Sequence, residues 1–207
     1  MENLEFIKLN NIEEKFCVHN KSILFIVDMN NGFAKQGALS SIRVERIIPN
    51  IVKNIEIFNK KNSPIIAFTD SHKEDSLEFK SYPVHCLENS YESDLVDEIK
   101  EFKDIVVIEK SSTNGFLEED TKKYVDDFID KGYKACVVCG CITDVCVKQF
   151  AQTLKAYFNV KNKDIDVIVP INSVDTYDSP EHNAEIINLF SFYEMKNSGI
   201  KVVKEIL

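Results

Sequence analysis

Two stretches of this chain carry most of its reactive side chains. Residues 135–147 read Ala-Cys-Val-Val-Cys-Gly-Cys-Ile-Thr-Asp-Val-Cys-Val and hold four of the six cysteines. Such a cluster can be a disulfide knot, a metal cage, or one reactive thiol among bystanders. Cys136 and Cys139 stand three apart in an apolar run, so strand alternation sends them to opposite faces, a poor arrangement for sharing an ion. They read as small core residues. Cys141 falls in the turn with no obvious partner. Cys146 differs. Gly140 ends the apolar run, and Thr143 or Asp144 can cap the helix that follows, which puts Cys146 in its first turn. Free N–H groups and the positive helix end there favour a thiolate and can hold a developing oxyanion. Cys146 is the candidate nucleophile.

The second stretch is a loop over residues 71–90, long, without clean periodicity, and carrying two of the four histidines. Asp70 and His72, two apart at a strand end, can point at one ion, and Glu78 and His85 can close its shell. One Asp, one Glu and two His suit zinc first, with iron or manganese as alternatives. Histidines that merely sit on a surface loop are the plain alternative.

These groups need a scaffold. Short β-branched runs at 22–27, 64–69, 104–108, 134–140 and 165–169, with a sixth at 200–203, alternate with helical spacing at 49–61, 118–131, 143–158 and 180–196. Pro49 is expected in the first turn of its helix. The alternation predicts an α/β fold: an open, mostly parallel six-stranded sheet with helices on both faces, Rossmann-like, in one domain over residues 1–207. Asp28, Asp70, Lys110 and the Cys146 region all fall at the C-terminal ends of predicted strands, the edge where open α/β sheets bind ligands.

Composition narrows the class. The 207 residues are 44% hydrophobic and 29% charged, with net charge −9. That charge argues against a nucleic-acid partner and against an anionic membrane surface. The opening Met-Glu-Asn-Leu-Glu-Phe-Ile-Lys has no secretory pattern, and no run approaches the roughly 18 apolar residues of a membrane span. A cytoplasmic protein with reduced thiols is expected.

Residues 140–147, Gly-Cys-Ile-Thr-Asp-Val-Cys-Val, resemble the nucleophile motif Gly-x-x-Thr-Asp-x-Cys-Val of the isochorismatase-like cysteine hydrolases, which include the nicotinamidases. Asp28 followed by Met-Asn-Asn-Gly-Phe33 resembles the first motif of that superfamily. Ile108-Glu-Lys110 followed by Ser-Ser-Thr-Asn-Gly-Phe116 resembles the second. The resemblance implies a catalytic triad of Asp28, Lys110 and Cys146. It also implies a cis peptide at Cys141–Ile142 and an oxyanion hole from the Ile142 and Cys146 N–H groups. The nicotinamidase pattern Asp-x-His with a later Pro-x-His matches Asp70, His72, Pro83 and His85, and Glu78 matches its glutamate variant. It implies one divalent metal, zinc foremost, that orients the pyridine ring of nicotinamide, with Phe33 and Tyr82 lining the substrate pocket. Homo-oligomers are common in the superfamily. Gly32 departs from its usual Asp, which is expected to loosen the first loop, and Val84 replaces a common proline. Two other readings stay open: a relative acting on a different small amide or carbamoyl compound, and a non-catalytic binding or redox protein on the same fold.

Overall fold

A computed structural model describes residues 13–207 of the chain. The first twelve residues, where the sequence predicts no secretory signal and where the predicted domain begins, lie outside the described residues. In chain order the elements are β1 (Glu13–Phe16), β2 (Ser22–Val27), α1 (Asn31–Ala34), α2 (Ile42–Lys60), β3 (Ile65–Asp70), α3 (Asp97–Lys100) and β4 (Ile105–Lys110). There follow α4 (Glu119–Asp130), β5 (Ala135–Cys141), α5 (Lys148–Val160), β6 (Asp166–Pro170), β7 (Val174–Asp175), α6 (Ala184–Asn197) and β8 (Lys201–Ile206). A π-helical turn, Thr143–Val147, leads into α5.

Every residue of β2, β3 and β5 is buried. Strands buried on both faces need cover on both faces, and crossover helices supply it, which is why such runs pair in parallel. All strand pairings are parallel. The order is β1-β8-β6-β5-β2-β3-β4, with β7 beside the end of β5. Eight strands therefore stand among the described residues where the sequence predicts six. The two unpredicted ones carry little pattern: β1 reads Glu-Glu-Lys-Phe, and β7 is two residues long.

Topology makes the crevice. From β2 the chain winds outward through β3 and β4, then returns to β5 on the other side of β2 and winds away through β6 and β8. The strand order reverses beside β2, and the C-terminal ends of the strands splay there. Register fixes who meets whom. Val27 pairs with both Phe68 and Gly140, and Asp70 pairs with Lys110.

Helix α2 begins about two turns before the predicted start, because Ser41 caps it by accepting the Arg43 N–H. Pro49 consequently lies inside the helix rather than in its first turn. Its exposed position lets water take over the Glu45 carbonyl that it leaves without a donor.

Gly140 is the tightest point of the scaffold. Its φ is +114°, and a Cβ there would collide with the Val27 backbone. No L side chain fits both demands. Gly140→Ala is expected to destabilise the protein by about 3 kcal/mol or more, read from urea unfolding. A loss under 1 kcal/mol would show that the β2–β5 contact can relax.

Candidate active site

Asp28 is the first residue beyond β2 and leaves the strand with φ +52°, a left-handed conformation that short polar side chains tolerate best. Lys110 is the last residue of β4, Asp70 the last of β3. Cys146 sits in the π-helical turn beyond β5. The four strand ends therefore bring together all three predicted triad residues and the first metal-site residue.

The Lys110 ammonium is fully buried among three acceptors. Its Nζ lies 2.9 Å from Asp28 Oδ2, 2.6 Å from Asp70 Oδ1 and 2.9 Å from the Ser112 carbonyl oxygen. Burial alone would strip its proton. The negative charges of Asp28 and Asp70, with the hydrogen bond to Asp70, outweigh burial and hold the lysine well above its ordinary range. Asp28 behaves in the opposite way. Its side chain is wholly buried, and burial pushes its pKa up to about 6, with Lys110 restraining the shift and Asp70 adding to it. The approach of Lys110 is an ion-pair contact rather than an aligned hydrogen bond, so both Asp28 oxygens keep lone pairs free. The Cys146 thiol is within reach of the same carboxylate.

Cys146 corrects the expectation of a favoured thiolate. Burial, and then the Asp28 charge beside it, hold the thiol well above its ordinary value. The helix end does not overcome these two effects. Neither Thr143 nor Asp144 caps the turn: its N-cap is Ile142, with no side-chain bond, and the Asp144 carboxylate turns away to Thr176 and His182. The resting site is thus thiol, carboxylate and ammonium.

The Cys141–Ile142 peptide is cis. The Ile142 carbonyl accepts the Val145 and Val147 N–H groups, while among the described residues the Ile142 N–H has no hydrogen-bond partner. Cys141, the neighbour of this donor, gives its own S–H to the Asp28 carbonyl at 2.9 Å and is fully buried. Cys136 and Cys139 are buried free thiols whose protons burial holds in place, as core residues should be.

The loop residues gather as predicted. Ligand atoms of Asp70, His72, Glu78 and His85 all lie within 4.8 Å of one another. Asp70 Oδ2 faces His72 Nε2 at 2.9 Å and His85 Nε2 at 3.0 Å. Burial opposes ionisation of Asp70, yet Lys110 and the bonds from both histidines hold its carboxyl well below the usual range. His85 Nδ1 donates to the Pro83 carbonyl at 2.7 Å, which directs Nε2 into the cluster. Metal-bound histidines are oriented by such carbonyl bonds. Glu78 comes from a short 3₁₀ helix, Leu77–Lys80, capped by Ser76. Two imidazoles and two carboxylates, clustered and with an oriented ring, fit a borderline divalent ion.

A slot of about 40 Å³ joins the two groups. Asp28, Cys146 and Ile142 line one end, Asp70, Glu78 and His85 the other, and Phe33 and Tyr82 are also among the lining residues. It opens through Glu78, Tyr82 and Thr113 onto a surface basin of about 760 Å³. Leu39, Thr113 and Val145 also line the slot and were not legible in the sequence, since nothing marks them apart from ordinary apolar or loop residues. Asn30 was missed as well. It clamps the Asp70 backbone from both sides, donating to the carbonyl at 3.0 Å and accepting the N–H at 3.1 Å. Its signal was available: an amide three residues past a buried strand and two past the candidate base. Gly32 does not loosen its loop. All of α1 is buried, and a Cβ at Gly32 would lie 2.7 Å from Cys86 Sγ, so the cysteine fills the space that a side chain at 32 would need.

With this geometry in hand, the class is defined. Residues 22–199 match the isochorismatase domain, and the chain belongs to the isochorismatase family. Among similar proteins is nicotinamidase 1 of Arabidopsis thaliana, 31% identical over 209 residues, covering 88% of this chain and 85% of that protein. The crystal structure of the Pyrococcus horikoshii pyrazinamidase in complex with zinc superposes with a TM-score of 0.72 at 26% identity, over 89% of this chain and 99% of that one. The yeast nicotinamidase shares the fold, with a TM-score of 0.75 at 20% identity over 89% of this chain and 100% of the other.

Lys110 separates two buried carboxylates, so removing its charge leaves Asp28 without an ion-pair partner and Asp70 with its two histidines alone. Lys110→Met is expected to cost about 3–5 kcal/mol in urea unfolding at pH 7 on metal-free protein. A cost below 1 kcal/mol would mean that the two carboxylates do not depend on it.

Proposed function

We propose that this chain is an amidase that hydrolyses nicotinamide to nicotinate and ammonia. The observation that carries the reading is the slot itself: a thiol, a base and an oxyanion donor at one end, a nitrogen- and oxygen-donor cluster at the other, aromatic walls between. Asp70, His72, Glu78 and His85 would hold one divalent cation, zinc foremost. Bound there, it supplies a Lewis acid of the kind that takes a lone pair from a pyridine nitrogen.

The chain's own residues do the rest. Asp28 takes the Cys146 proton as Sγ attacks the carboxamide carbon. Because the resting thiol is protonated, its proton must pass to Asp28 before the sulfur–carbon bond is complete. Ile142 N–H and Cys146 N–H donate to the oxygen on which negative charge develops. Protonated Asp28 then gives its proton to the leaving nitrogen, and ammonia departs from a thioester. Water, activated by the same carboxylate, hydrolyses the thioester, releases nicotinate and restores the thiol. Lys110 keeps Asp28 ionised at neutral pH despite its burial. Phe33 and Tyr82 offer faces against which a planar ring packs.

Three outcomes follow. Purified protein should release ammonia from nicotinamide, lose that activity on chelation, and regain it with zinc, iron or manganese. Turnover of a different small amide with nicotinamide inert would move the reading to another substrate, and no hydrolysis with a reversible disulfide would make it a redox protein. Cys146→Ala should lower kcat by at least about 10⁴-fold; substantial residual turnover would overturn the mechanism. Asp28 must be a carboxylate to accept the proton, so kcat/KM should be level above about pH 6 and fall as pH drops through it, approaching tenfold per unit. An acid limb near pH 4 would mean that Asp28 is not the group that titrates.

A further inference from the structure

Asp144 stands two residues before Cys146 in the same π-helical turn, and its carboxylate is held from outside. Oδ1 accepts the Thr176 hydroxyl at 2.6 Å and Oδ2 faces His182 Nε2 at 3.1 Å. The other ring nitrogen, Nδ1, faces the Tyr177 carbonyl oxygen at 3.0 Å. Both partners of the ring are acceptors only. The ring thus bridges the Asp144 carboxylate and the Tyr177 carbonyl, one nitrogen facing each. Tyr177 covers that ring, with centroids 3.9 Å apart and planes 12° from parallel, which fixes the plane in which its nitrogens point.

The segment that carries His182 is itself anchored. Asp175 accepts two bonds from Arg43 and one from Asn188. Ser179 and His182 exchange backbone bonds at 3.0 Å, and Asp178 accepts the Ala184 N–H that opens α6. The imidazole therefore projects from a braced loop onto a turn that no side chain caps. From these contacts we propose that His182 is a positioning residue. Through its Nε2 contact it holds Asp144, and through Asp144 it fixes the turn on which the Cys146 sulfur and the Ile142 and Cys146 N–H groups are carried. The inference rests on the proposed amide hydrolysis for its kinetic consequence, though not for the geometry.

The test uses His182→Ala, His182→Arg, Asp144→Asn and the Asp144→Asn/His182→Ala double variant, all metal-loaded. A turn displaced by about 1 Å costs about 100-fold in turnover. His182→Ala and Asp144→Asn should each lower kcat 10- to 100-fold with KM within twofold. The double variant should be no worse than the poorer single one. His182→Arg, which restores N–H donors toward Asp144, should return kcat to within threefold of the parent. Thermal midpoints should move by less than about 4 °C, so that instability does not explain the loss. The site-resolved rate of Cys146 alkylation by iodoacetamide should fall at least fivefold in His182→Ala. This last readout needs no substrate: if the parent protein hydrolyses no amide, the functional reading fails while the alkylation comparison still tests the latch. Turnover within twofold of the parent in His182→Ala, multiplying losses in the double variant, or unchanged alkylation would each overturn the proposal.

Discussion

The site is organised around one buried cation. The Lys110 ammonium lies between Asp28 and Asp70, and each carboxylate belongs to a different half of the slot. Without that charge, two carboxylates would share an interior that solvates neither. With it, the two take opposite characters. Asp70 collects Lys110 and two imidazoles and stays ionised over the whole working range. Asp28 has the ammonium and the Cys146 thiol beside it, and burial pushes its pKa up to about 6. One residue thereby leaves a stable anion in the donor cluster and a proton acceptor beside the thiol.

The sheet makes this arrangement possible because parallel strands deliver their last residues to one edge. Asp70 and Lys110 are register partners, and Gly140 lies against Val27 just before Asp28. Distant segments of the chain thus converge within hydrogen-bond distance without any long loop having to find its place. What remains loop-borne, Glu78 on its 3₁₀ helix and the segment around His182, is pinned by short polar contacts: a Ser76 cap for the first, the Asp175–Arg43 pair for the second.

Much of this was legible in the sequence because its signals are local. Six apolar runs with polar residues at their ends gave the strands, and the Asp-x-His pair with Glu78 and His85 gave the donor cluster. The failures are equally physical. β1 is polar and β7 is two residues long, so neither shows a period. Pro49 looked like a helix start because a proline at an exposed interior position leaves the same trace as one in a first turn. Asp144 looked like a cap because spacing cannot reveal that Thr176 and His182, more than thirty residues away, claim its carboxylate. The thiolate expectation failed for the same reason: a helix end is visible in sequence, while burial and the neighbouring Asp28 are not.

The sharing of Asp70 between Lys110 and the two histidines has a consequence for how such a site can change over descent. The donor cluster and the triad cannot drift apart independently through that residue. Replacing Asp70 strips the imidazoles of their common acceptor and Lys110 of its shortest contact in one step. Glu78 and His85 are not hydrogen-bonded to Lys110, so a change at either would leave the lysine's contacts to Asp28 and Asp70 in place. The strand-end aspartate is therefore the member of the donor cluster whose loss would reach Lys110 most directly.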